Sequence, residues 1–107
     1  MTLATTDPRS LKARLELDEP LFLLDVRERW EFDLAHIPGS RHIPMSTIPG
    51  RMADIPTDRA VVCICHHGAR SEQVAWYLLQ QGRSAVENLR GGVDAWSLEV
   101  DPELPRY

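Results

Sequence analysis

The chain is short of several things, and each shortage removes a class of function. Positive charge is in deficit: 12 Lys and Arg stand against 16 Asp and Glu, the formal net charge is -4 and the pI ≈ 5.5. Such a surface repels phosphodiester backbones and anionic headgroups, so neither nucleic acid nor membrane is expected as a partner, and an anion must bind at a local site. The longest apolar runs, Leu21 to Leu24 and Ala60 to Cys65, fall far below the roughly 20 residues a membrane span requires. The stretch Met1 to Thr6 has neither a basic nor a sustained apolar region, so no secretory signal is read there. Cysteine is limited to Cys63 and Cys65. Spaced by one residue on an extended segment, the two thiols point to the same side, and a disulfide between them would be strained. Two free thiols without an export signal suggest the reducing cytoplasm. Repeats, low-complexity tracts and a Pro/Gly linker are also missing. The 107 residues, 43% hydrophobic, are therefore expected to build one domain over residues 1–107, with 1–7 as a disordered tail.

Short apolar runs alternate with helical patterns. Leu11, Leu15 and Leu17 recur within Ser10 to Leu17, behind Asp7-Pro8, and predict a capped helix. Leu21 to Val26, behind Pro20, and Ala60 to Cys65 are nearly unbroken apolar runs, as in strands buried on both faces. Arg27 to Ala35 is polar and predicts a helical turn; Pro38-Gly39 marks a turn; Arg41 to Pro44 predicts a brief strand and Ser46 to Ala53 a short helix. Val74, Ala75, Leu78 and Leu79 fall at helical spacing between Ser71 and Gln81, with Gly82 at the expected helix end. Ala85 to Leu89 predicts a last strand and Gly92 to Leu98 a last helix. Buried strands alternating with helices predict an α/β domain, a mainly parallel sheet with helices on both faces. Ligands in such sheets bind beyond the carboxyl ends of the strands, where Cys65 to Ser71 lies.

That segment carries the chemistry. A loop running from a strand into a helix N-terminus turns several N–H groups towards one point, and the helix dipole adds partial positive charge. A thiolate at Cys65 would be stabilised there, and the thiolate is the nucleophilic form. Gly68 allows the positive φ of a tight curl, and Arg70 brings a permanent cation where the dipole prefers an acid, which suggests a ligand. Cys63, inside the strand, reads as core packing. His66 and His67 could add charge to the loop as pH falls, changing activity with anionic donors between about pH 6 and 7. Four ligands from Cys63, Cys65, His66 and His67 would have to converge from one short run, and the paired Cys-x-x-Cys spacing of zinc modules is absent, so no metal or other cofactor is expected.

Four segments in order resemble the rhodanese homology domain: Leu24-Asp25-Val26-Arg27-Glu28 with Glu31-Phe32; His36-Ile37-Pro38-Gly39-Ser40 with Ile43-Pro44; Cys65 to Ser71; and Leu89-Arg90-Gly91-Gly92-Val93-Asp94-Ala95-Trp96. The resemblance runs from about Pro8 to Tyr107 and implies a three-layer sandwich. It implies a sulfurtransferase in which Cys65 takes the outer sulfur of thiosulfate or a protein persulfide and yields it to cyanide or a thiol. His66, His67, Gly68, Ala69, Arg70 and Ser71 would bind the substrate, Asp25 and Arg27 would brace the loop, and His36 would serve the turn. A sulfur-carrier or interaction module is the alternative. The same resemblance extends to phosphatases of the Cdc25 type, but their loops hold one residue more between Cys and Arg than the four here, and by family analogy the smaller concavity suits sulfur better than a phosphoryl group. The loop also has two His where further Lys or Arg would favour a dianion. Arg83 stands where the family commonly has an apolar residue, so packing against the next strand is expected to differ.

Overall fold

The computed structural model describes residues 2–107. Strands β1 (Ala4–Thr6), β2 (Leu21–Asp25), β3 (Arg41–His42), β4 (Ala60–Ile64) and β5 (Val86–Leu89) form a parallel sheet in the order β1-β5-β4-β2-β3. The two apolar runs of the sequence, β2 and β4, lie side by side near its middle, with Leu21 opposite Ala60 and Asp25 opposite Ile64. Parallel strands need crossovers, and helices supply most of them: α1 (Pro8–Glu16), α2 (Arg29–Leu34) and α3 (Ala69–Gln80), with a kinked 3-10 segment, Met45–Asp54, between β3 and β4; α4 (Gly92–Glu99) follows β5.

Alternation along each strand sends successive side chains into two separate cores. Val61, Cys63 and Cys65 pack with Leu24, with Val74, Ala75 and Leu78 of α3, and with Ile48 of the 3-10 segment. Val62 and Ile64 face the other way, onto Leu11 of α1 and Val93 and Trp96 of α4. The sheet is thus covered on both faces, as the runs without polar alternation required. Cys63 belongs wholly to the first core: it is fully buried, and burial beside Cys65 pushes its thiol up to about 12.

Two expectations need correction. Residues 4–6, read as part of a disordered tail, form β1, paired with β5 from Ala4 opposite Glu87 to Thr6 opposite Leu89; Met1 lies outside the described residues. Three small residues carry too weak a pattern to announce a strand, and the backbone ladder to β5 is what orders them. The first helix also begins earlier, at Pro8, because Asp7 caps it by accepting from the Ser10 N–H at 2.8 Å and Pro8 suits the first turn. Arg83, the polar departure after Gly82, donates to the carbonyls of Ile55 (2.7 Å) and Met52 (2.8 Å) and so closes the end of the 3-10 segment.

Candidate active site

Cys65 follows the last residue of β4, at the carboxyl edge of the sheet, and its loop curls back over the strand end. Gly68 makes the curl possible: it sits at φ 108°, a conformation that side chains disfavour, and starts α3. The Gly68 N–H then points at the sulfur and donates to Cys65 Sγ at 3.0 Å. Ser71 Oγ lies 3.3 Å from the same sulfur. The serine has one proton and a much shorter contact, 2.5 Å, to Asn88 Oδ1, so the amide is the sulfur's principal donor. Asn88 in turn donates to the Gly68 carbonyl at 3.1 Å. Cys65 is 1% exposed, a sulfur set in the floor of the loop.

On the far side, the closing Gly91-Gly92 pair lets α4 begin directly under the loop. Val93 N–H donates to the Cys65 carbonyl (2.9 Å) and Asp94 N–H to the His66 carbonyl (3.1 Å). Gly92 has φ 60°, and a Cβ there would collide with the carbonyl oxygens of Cys65 and His66. Only glycine permits this approach.

Arg70 was expected to face the bound anion. Instead its guanidinium meets Glu31 of α2 edge-on, with Nη1–Oε1 at 2.7 Å and Nη2–Oε2 at 2.8 Å, which removes the puzzle of a cation in a first helical turn. Glu31 is nearly buried, and Arg70, the Glu28 N–H at 2.9 Å and the Tyr107 hydroxyl at 2.7 Å hold its carboxyl down at about 2. Tyr107 links this pair to a second one. Its hydroxyl accepts from Arg27 Nη1 at 2.7 Å and donates to Glu31. Arg27, fully buried, is bound to Asp25 (Nη2–Oδ2 2.7 Å, Nε–Oδ1 2.9 Å) and to the Ala35 carbonyl (2.5 Å). Asp25 and Arg27 therefore reach the loop through Tyr107, whose ring also stacks on His66 with centroids 3.9 Å apart and is met edge-on by Trp30.

His66 lies between Tyr107 and His67, and burial, with His67 beside it, lowers its pKa. Its protonation thus shifts to lower pH than in an open loop. His67 is exposed, with Nδ1 3.9 Å from Asp94. Ala69 is exposed in the first turn of α3. His36 is placed by the turn, its Nδ1 against the Phe32 carbonyl at 2.8 Å. Among the described residues no group of three or more His, Cys, Asp or Glu gathers as metal ligands.

Glu31, Asn88, Asp94 and Tyr107 are the site residues that residue type alone did not single out as participants. Glu31 stood in the first motif without a role, and Asn88 is a polar residue inside an apolar strand, a signal that was available. Tyr107 gives none, because its partners lie 80 and 76 residues away.

The chain matches known proteins over nearly its whole length. The sequence profile of the rhodanese-like domain covers residues 7–99. A sulfurtransferase of Allochromatium vinosum is 47% identical over 91 residues, 85% of each chain. A Bacillus subtilis protein, YrkF, named for a sulfur carrier, is 38% identical over 88 residues, 82% of this chain and 48% of that one. The crystal structure of a rhodanese-like domain protein from Staphylococcus aureus superposes with a TM-score of 0.85 at 30% identity, covering 98% of this chain and 99% of that one. The parallel five-stranded sheet, the strand-end cysteine loop and these likenesses agree, and the chain belongs to the rhodanese-like domain family.

Proposed function

We propose that the protein is a sulfurtransferase in which Cys65 carries a sulfane sulfur between a donor and an acceptor. The observation that carries this reading is the Gly68 N–H aimed at Cys65 Sγ at 3.0 Å in a loop that opens a helix. The Cys65 thiolate attacks the outer sulfur of thiosulfate or of a persulfide. The bond between the two donor sulfurs breaks, sulfite or a thiolate departs, and Cys65 holds the persulfide. A thiol, as its thiolate, or cyanide then takes the outer sulfur and returns Cys65 as thiolate. The free amides of the His66 to Ser71 loop hold the transferred sulfur, while Asp25 and Arg27 keep the loop in place. A free Cys65 thiol is needed at each turnover, which suits a reducing compartment such as the cytoplasm.

Two features support sulfur over a phosphoryl group. The gap between Cys65 and Arg70 is four residues, and Arg70 is already spent on Glu31. A second reading, a carrier that hands sulfur only to a docked protein, draws on the likeness to YrkF and on the 1% exposure of Cys65.

The deciding experiment is intact-mass measurement after incubation with a sulfane donor. One added sulfur, removed by cyanide, is expected in the wild type and none in Cys65→Ser. No gain from any sulfane donor rejects sulfur transfer, and a gain in Cys65→Ser rejects the site. A persulfide that forms but passes only to a particular protein marks the carrier.

A further inference from the structure

Three guanidinium groups surround the Cys65 loop, and each is already matched by a carboxylate. Arg70 lies on Glu31 at 2.7 and 2.8 Å, Arg27 on Asp25 at 2.7 Å, and Arg106 Nε on Asp94 Oδ1 at 2.9 Å. The exposed imidazole, His67, faces Asp94 at 3.9 Å. What remains positive at the loop is the partial charge of its amides and of the α3 N-terminus, about half an elementary charge, and the Gly68 N–H is already directed at the sulfur.

Arg70 is not free to turn towards a ligand. Glu31 is 4% exposed and also holds the Glu28 N–H and the Tyr107 hydroxyl. Withdrawing Arg70 would leave a buried carboxylate without its cation, which is strongly unfavourable. The guanidinium nearest the nucleophile is thus fixed as one half of a neutral pair.

The two donor classes respond differently to such a site. Thiosulfate brings two negative charges to the Cys65 thiolate. The reacting complex carries three, and sulfite leaves with two while the persulfide anion keeps one. A protonated persulfide, R–S–S–H, brings none. Cys65 bonds to the outer sulfur, the sulfur–sulfur bond of the donor breaks, R–S⁻ leaves and the proton stays on the transferred sulfur. Repulsion in the first case needs an unpaired cation, and in the second it does not arise.

We propose that Glu31, by locking Arg70, is a specificity-determining residue that turns the Cys65 site away from the thiosulfate dianion and towards persulfide donors. This rests on the sulfur-transfer reading above. The experiment follows sulfur loading of the full chain by intact mass, with thiosulfate and 2-hydroxyethyl persulfide, whose body carries no charge, as separate donors at equal concentration. Wild type should load from the persulfide at least roughly tenfold faster, and added salt should speed thiosulfate loading by screening repulsion. Glu31→Gln keeps the side-chain volume and an oxygen for the Glu28 N–H, yet releases the charge of Arg70. It should raise the thiosulfate-to-persulfide rate ratio by roughly tenfold.

Equal wild-type rates for the two donors overturn the proposal, as does thiosulfate loading that slows with salt, the sign of a free cation. An unchanged ratio in folded Glu31→Gln overturns it too. If that variant does not fold, the salt response of the wild type decides. Failure of both donors to add sulfur rejects sulfur transfer itself, a result distinct from loading with the wrong preference.

Discussion

On the side of β2, the Cys65 loop leans on side chains: Asp25, Arg27, Tyr107, Glu31 and Arg70 form one line of charged and hydroxyl contacts, each 2.7 Å at its shortest. On the side of α4 it leans on backbone, where the Cys65 and His66 carbonyls accept from Val93 and Asp94 across Gly92. The first support depends on charge and responds to pH and to conservative substitution. The second depends on space and on one glycine's φ, and no side chain can replace it. Both supports hold the loop amides around Cys65, one through charge and the other through close backbone contact.

The largest effect is expected from removing the buried cation of the charged support. Arg27→Ala leaves Asp25, fully buried, without its partner, and the loss should be about 3–5 kcal/mol in chemical denaturation. A loss below about 1 kcal/mol would mean that the charged line is no more than a surface arrangement. On the backbone side, Gly92→Ala combines a φ of 60° with overlap on two carbonyls, and roughly 2–4 kcal/mol of destabilisation should follow. Fluorescence-monitored urea unfolding measures both. A tolerated Gly92→Ala would show that the α4 approach can relax and that the two supports differ less than their geometry implies.

The supports also separate by acid titration. Glu31 is held at about 2, against an ordinary value of 4.5. A depressed carboxyl contributes stability that is complete above the unfolded value and is lost as pH falls through the folded one. The wild type should therefore lose stability between pH 4.5 and about 2 more steeply than Glu31→Gln, which has no such group to titrate. Identical acid limbs would detach Glu31 from loop stability.

Much of this arrangement was legible in the sequence because its causes are local. The runs at β2 and β4, the Gly68 curl and the placement of the loop at a strand end follow from neighbours a few residues apart. The placement of the two cysteines also followed, Cys63 inside β4 and Cys65 just beyond its end. What stayed hidden was pairing across distance. Arg70 finds Glu31 39 residues away, so a cation whose position suggested a ligand proved to have an internal partner. β1 was hidden for the same reason, since Ala4–Thr6 are strand only because β5 lies beside them.

The smallest expected effect sharpens the comparison furthest, because Tyr107→Phe removes one oxygen and leaves the ring on His66. The hydroxyl accepts from Arg27 and donates to Glu31, both at 2.7 Å, and it is the only contact joining the two ion pairs among the described side chains. Its loss should cost about 1–2 kcal/mol. A purely local role would stop there. If Tyr107 couples the pairs, the Glu31 carboxyl also loses a donor, its folded pKa rises towards the ordinary value, and the acid limb of the variant becomes shallower than that of the wild type. A matching acid limb, with stability lowered equally at every pH, would instead make Arg27 and Arg70 two independent anchors.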